Sequence, residues 1–201
     1  MFWSGFEQAG SSLNLFAERH TLRMLSAIAF EVPAGWFQSL NAVFVILLAP
    51  IVASLWVALA RRQMAPALTI KVAGGLLLLA LGFFIVAVAA RQAVSSGRVW
   101  PTWLIATYFV HTLGELCLSP VGLSAVTKLA PSRLVGQMMG VWFLGTSLGN
   151  LMAGLLAGNT SGENLAEMPV RFFQIVLTAG ATGILLLCIA RPIQRLTGGI
   201  Q

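Results

Sequence analysis

Five runs of more than twenty mostly apolar residues, separated by short polar stretches, recur along the chain at 36–60, 67–90, 103–127, 135–158 and 170–190. A bilayer hydrocarbon core about 30 Å thick needs about 20 such residues per helix, so each run predicts a membrane-spanning helix. A sixth run, 2–17, has sixteen residues and would reach only about 24 Å at 1.5 Å per residue. It starts one residue after Met1, which predicts a helix cut short at its cytoplasmic end and a chain that is a fragment of a longer one. The breaks carry turn residues: Pro33-Ala34-Gly35, Met64-Ala65-Pro66, Ser95-Ser96-Gly97, Ala130-Pro131-Ser132 and the polar run 159–167. All are short, so neighbouring helices are expected to be antiparallel, and no soluble domain is inserted. The fold class predicted is an all-α membrane protein.

Composition agrees. Hydrophobic residues make up 58% of the 201 and charged residues 9%, with a mean hydropathy of +0.87, whereas soluble domains are about 25% charged. The net charge of +6 would suggest nucleic acid in a soluble protein, but its distribution gives another reading. On one side of the predicted membrane, Arg61, Arg62, Lys71, Lys128, Arg133, Arg191 and Arg195 stand without any acid. On the other, Arg19, Arg23, Arg91, Arg98 and Arg171 face Glu18, Glu31, Glu163 and Glu167. The positive-inside rule makes the first side cytoplasmic, so six crossings leave both termini in the cytoplasm and nucleic acid is not an expected partner. Cys117 and Cys188 lie in apolar runs without metal or disulfide spacing and read as packing. No signal peptide is indicated, and Asn159-Thr160-Ser161 is an isolated glycosylation sequon on the outer side.

Function must then lie in the polar residues of the helices. Glu7 and Glu115 are intramembrane, there is no aspartate, and no Lys or Arg lies deep in a span. A charge at mid-bilayer opposes insertion by about 2.5–3.5 kcal/mol and usually marks a substrate or ion path. The nearest base along the helix from Glu115 is Lys128, thirteen residues on and about 20 Å away. Each glutamate is therefore protonated or paired with a base from elsewhere, and a group poised between those states can exchange a proton as its partner moves. His111, Glu115 and Ser119 recur every four residues and share a helix face. Too few ligands and no HExxH argue against a metal; the spacing suits a hydrogen-bonded His and Glu better. No serine or cysteine has an evident base and orienting group, which argues against an enzyme.

Around Glu7, residues 6–14 are polar enough either to line a water path or to pack another helix through hydroxyls. Gln38 and Asn41 carry the same ambiguity. Pro120, with Gly114 and Gly122 near it, and Pro50 predict kinks, either static or gating. Gly145, Gly149 and Ala153 form a small-xxx-small stripe suited to close helix packing, leaving Trp142, Thr146 and Asn150 on a second stripe where a polar cavity could lie.

Three stretches, FWSGFEQAGSSLNLF at 2–16, WFQSLNAVFVILLAPIVASLW at 36–56, and TLGELCLSPVGLSAVTKLAP at 112–131 followed by GQMMGVWFLGTSLGN at 136–150, resemble the C-terminal half of the proton-dependent oligopeptide transporter (POT, or PTR) family of the major facilitator superfamily. The resemblance covers essentially the whole chain. It implies a six-helix transmembrane bundle over 1–201, the C-terminal one of two that rock about a central site, and a symporter that imports di- and tripeptides using protons as the coupling ion, with no other cofactor. By position, Glu7 resembles the family's seventh-helix glutamate of proton coupling. Glu115 resembles the tenth-helix glutamate near the peptide amino end, which can also pair with a lysine of the other bundle. Asn41, Ser119, Trp142 and Trp3 resemble cavity-lining, substrate-binding positions, and Pro120 with Gly122 would be the gating bend.

The family's N-terminal bundle, including its ExxER motif, has no counterpart here. The expected partners are thus a peptide, the lipid bilayer and that missing six-helix bundle, and the expected location is the inner membrane. Two other readings stay open: a non-transporting membrane fragment or scaffold, and a family member that carries nitrate or another small anion.

Overall fold

The computed structural model describes residues 1–25, 30–158 and 165–196; the sequon at 159–161 lies outside them. Among the described residues five helices are long and apolar enough to cross a membrane: α3 (Trp36–Arg61), α4 (Leu68–Ser96), α5 (Thr102–Leu129), α6 (Val135–Gly158) and α7 (Met168–Cys188). A short α8 (Ala190–Leu196) follows α7 after a break at Ile189.

The first run departs from the single helix predicted over 2–17. It is α1 (Phe2–Phe6), a 3-10 turn over Glu7–Gly10, and α2 (Ser12–His20), with Ser11 in a non-helical conformation between them. Two-residue strands β1 (Met24–Leu25) and β2 (Phe30–Glu31) pair antiparallel outside the helices, where Arg23 Nη2 meets Glu31 Oε1 at 2.8 Å. α4 runs to Ser96, beyond the predicted 90. Its polar last turns satisfy themselves, because Ser95 and Ser96 donate to the Gln92 carbonyl at 2.8 and 2.9 Å. Gly97, at φ +79°, then ends the helix by donating to Ala93 O at 2.7 Å, a positive φ that glycine accepts without a Cβ penalty.

α4 is the central element, packed chiefly against α5 and α7. Its Leu76, Leu79, Phe83 and Val86 are buried with Leu13 and Phe16 of α2, Leu104 and Tyr108 of α5 and Phe172 of α7. Lipid tails are as apolar as leucine, so helices associate in a bilayer by close packing rather than by hydrophobic exclusion. Glycines make this possible. A Cβ on Gly75 would lie 2.8 Å from Gly114 O, and one on Gly114 would lie 2.9 Å from Gly75 O, so α4 and α5 approach backbone to backbone.

The periphery is looser. In α3 only Phe37 is buried, and Ile46, Leu47, Ile51 and Leu55 are more than half exposed. Such a face would be an association site in water; against lipid it meets a solvent of its own polarity. In α6, only Gly149, Ala153 and Ala157 are buried.

At one end of the bundle, α2 is clipped to the α4–α5 loop: Val99 N donates to His20 O at 2.9 Å and Leu22 N to Val99 O at 2.8 Å. His20 lies beyond the spanning segment. Burial lowers its pKa from the ordinary 6.5; a hydrogen bond to the Gly97 backbone opposes this, and Arg19 and Arg98 reinforce it. The unfolded chain therefore binds a proton at a pH where the folded one does not, and stability falls as pH drops through about 6.5. In His20→Gln that part of the pH dependence is expected to vanish from thermal melts between pH 5 and pH 7.5; an unchanged slope refutes the assignment. The α4–α5 contact makes a separate prediction. Gly114→Ala is expected to cost about 1–3 kcal/mol through overpacking, while Gly74→Ala, whose Cβ would meet nothing within 4 Å, is expected to be near neutral in the same melts.

Candidate functional site

The break after Phe6 exposes backbone groups inside the membrane, where each must find a protein partner. Gln8, only 1% exposed, supplies one such partner and ties the segment to α6. Its Nε2 donates to Ser4 O at 3.4 Å and to Ala153 O of α6 at 3.2 Å, and its Oε1 accepts from Ser12 Oγ at 2.6 Å and Ser11 Oγ at 3.3 Å. Tyr108 Oη donates to the Ala9 carbonyl at 3.4 Å. Both readings open for 6–14 find support: Gln8 packs onto α6 through Ala153, and Gln8 and Ser12 also line a cavity of about 470 Å³ with Arg171, Gln174 and Thr178.

This turn presents Glu7 to α6. With the Asn150 amide oriented nitrogen toward the carboxylate, Nδ2 donates to both Glu7 oxygens at 3.1 Å. The neighbouring Gly149 allows the approach, because a Cβ there would overlap Trp3 Cβ and lie 3.1 Å from Ser4 N. Gly149 and Ala153 of the α6 stripe therefore seat the first segment, with Asn150 as the polar edge, while a Cβ on Gly145 would meet nothing within 4 Å and that residue lines a cavity instead.

A second cluster joins α3 and α5. Thr112 Oγ1 donates to Asn41 Oδ1 at 2.6 Å, a proton it shares with the Tyr108 carbonyl at 2.8 Å, and Asn41 Nδ2 donates to Glu115 Oε2 at 3.3 Å. Glu115 and Asn41 are half-buried. Thr112 was not among the expected site residues; its i, i+3 spacing from Glu115 on one helix face was the available signal.

The expected stripe of His111, Glu115 and Ser119 does not act together. His111, 2% exposed, hydrogen-bonds the Leu79 backbone and lies 4.9 Å from Phe83 and 6.5 Å from Phe6, centroid to centroid. It fills the space that a Cβ on Gly82 would take, so it packs toward α4 while Glu115 meets α3. Ser119 Oγ is buried without a hydrogen-bond partner.

Trp3 and Trp142 line one apolar cavity of about 730 Å³ with Met1, Val72, Gly122 and Gly145. The Trp142 ring occupies the place of a Cβ on Gly122, and α5 is helical through Pro120 and Gly122; close approach of the tryptophan thus accounts for that glycine. Neither carboxylate lines this cavity. Among the described residues neither Glu7 nor Glu115 has an ion pair, and no group of His, Cys, Asp and Glu could hold a metal ion.

The family model described as PTR2, POT family, matches residues 1–170. The chain belongs to the POT family. It is 44% identical over its whole length to the peptide transporter YePEPT of Yersinia enterocolitica subsp. palearctica, and 34% identical over its whole length to a di-/tripeptide transporter of Lactococcus lactis subsp. cremoris. A crystal structure of the peptide transporter POT in complex with sulfate superposes with a TM-score of 0.86 at 38% identity, covering 98% of this chain and 38% of that one. A POT family transporter in complex with a thioalcohol conjugated peptide gives 0.82 at 28% identity, covering 96% and 39%. The POT-family chain thus has the helical architecture of major facilitator transporters, and spans about two fifths of the length of these relatives.

The Thr112, Asn41 and Glu115 cluster is open to a double-mutant cycle. Thr112→Val and Asn41→Ala are expected to couple by about 0.5–1.5 kcal/mol in unfolding free energy, and additivity within error would dissolve the link. Ser119→Ala, which removes an unpartnered buried hydroxyl, is expected to be neutral or slightly stabilising in the same measurement.

Proposed function

We propose that the chain is the C-terminal half, residues 1–201, of a proton-coupled symporter that imports di- and tripeptides across the inner membrane by alternating access, with both its termini cytoplasmic. The observation that carries this reading is the pair of intramembrane carboxylates whose hydrogen bonds, through Asn41 and Asn150, come from neutral amides. A carboxylate away from water keeps its charge only when a cation compensates it. Among the described residues none pairs with either glutamate, so in this reading the compensating charge is a proton, the amino end of a peptide, or a base of a second six-helix bundle. Competition among these three is what couples proton movement to substrate movement. The relatives named above as peptide transporters support the substrate class.

In this scheme Glu7 carries the coupling proton. Glu115, oriented by Asn41, receives the peptide amino end, and Ser119 lies one turn along the same helix. Trp3 and Trp142 supply apolar walls. Pro120 and Gly122 are where α5 bends as the gate moves; the proline removes one backbone hydrogen bond there. The second bundle closes the site from the other side, as a midplane site between two moving halves requires.

The test is uptake of labelled dipeptide into vesicles holding the complete transporter under an inward proton gradient. Accumulation is expected to fall at least about tenfold when the gradient is collapsed, and by a similar factor in Glu7→Gln and Glu115→Gln, an effect of about 1.4 kcal/mol or more. Exchange of internal for external peptide is expected to survive in Glu7→Gln. Uptake that ignores the gradient, or both glutamine variants behaving as wild type, would sink the proposal; preferential uptake of labelled nitrate would reassign the substrate.

A further inference from the structure

At the end of the bundle that carries the basic loops, α3, α4 and α5 enclose a small cavity of about 200 Å³. Its polar lining is Trp56, Lys71, Ser124 and Lys128, and Pro120 lies on its wall. At about 30 Å³ per water it holds roughly six or seven waters, enough for a phosphate group and part of its hydration.

Three features of this cavity are unbalanced. Lys71 and Lys128 both line it and repel one another, yet neither forms an ion pair among the described residues. Glu115, the nearest acid along α5, stands thirteen residues or about 20 Å before Lys128 and five residues or about 7–8 Å before Pro120 on the cavity wall, and among the described residues it pairs with neither lysine. The Trp56 indole N–H is buried and has no hydrogen-bond partner, although its ring holds the Lys71 ammonium 5.2 Å from its centroid. Two cations and an orphaned donor therefore share one pocket in which no described residue supplies a negative charge.

The depth of the pocket says what fits. Trp56 lies five residues before the end of α3, Lys71 three residues into α4 and Lys128 one residue before the end of α5, so each stands within about two turns of a helix end, a position from which tryptophan and snorkelling lysine reach a membrane interface. Leu68, Val121 and Ala125 make the rest of the lining apolar, as an acyl chain requires. We propose that this pocket binds the phosphate headgroup of an anionic phospholipid, with Lys71 and Lys128 neutralising the phosphate and Trp56 Nε1–H donating to it. Basic pockets between spanning helices take such headgroups on physical grounds alone. The site is separate from the carboxylate clusters and does not depend on their role.

The experiment uses the full-length protein in mild detergent, titrated with phosphatidylglycerol or with phosphatidylcholine of the same chains and followed by native mass spectrometry. Phosphatidylglycerol is expected to be retained in preference. The double variant Lys71→Gln/Lys128→Gln is expected to bind it roughly thirtyfold more weakly, about fivefold per lysine. Lys71→Arg/Lys128→Arg is expected to keep binding, and Trp56→Phe to lose part of it. Equal retention of the two lipids, or undiminished binding by a glutamine double variant that melts at the wild-type temperature, overturns the proposal; the latter would mean that a carboxylate from another part of the protein already occupies the lysines. Displacement of the lipid by millimolar inorganic phosphate would overturn the lipid assignment in favour of the free anion. Should the glutamine variant fail to fold, loss of lipid preference in Trp56→Phe together with the single Lys128→Gln decides, and its absence counts against the site.

Discussion

A backbone carbonyl or amide without a partner costs several kcal/mol in hydrocarbon, and the segment from Phe2 to His20 breaks its helix where that cost applies. Gln8 is the residue that makes the break tenable. One side chain accepts from two serines and donates to carbonyls on its own segment and on α6, while Tyr108 reaches across from α5 to the Ala9 carbonyl. Fixing the break fixes the direction of Glu7 one residue earlier. It also fixes the seat of α6, whose Gly149 and Ala153 meet the broken segment at Trp3 and Gln8.

The parts of the fold that depend on length and hydropathy were legible in the sequence. Five long helices appear where five apolar runs stand, and the turns fall at the proline and glycine clusters. Two members of the small-residue stripe of α6, Gly149 and Ala153, were legible as a packing surface because backbone approach needs a missing side chain whatever the partner, whereas Gly145 lines a cavity. The break at Glu7–Ser11 was not, since a short polar segment fits a strained helix, a turn and a water path equally, and Gln8 decides only through Ala153, far away in sequence. Likewise a helical spacing of four placed His111, Glu115 and Ser119 on one face without saying that the face is divided between two neighbours. Gly82 draws His111 toward α4 and Asn41 draws Glu115 toward α3, and the partner that completes the second pairing, Thr112, lies off the stripe.

The bundle divides into a dense part and a loose part. α4, α5 and α7 are joined by glycine contacts and an extended apolar core, whereas α3 and α6 bury few residues. Each carboxylate stands at a seam between the two parts: Glu115 belongs to the dense part and takes its amide from α3, and Glu7 takes its amide from α6. A rearrangement of either loose helix therefore changes the surroundings of a glutamate without disturbing the core, which the proposed rigid-body rocking with local adjustment would require.

The choice of asparagine at both seams has a further consequence. An amide carries a donor and an acceptor on one flat end, so turning it over satisfies a carboxylate in one pose and a carboxylic acid in the other. Such a partner is ambidextrous: it holds the glutamate in place in either state and takes no side between them. A lysine or arginine in the same position would have committed the site to one charge. With asparagine there, the bundle supplies geometry and leaves the decision over charge to whatever approaches across its open face.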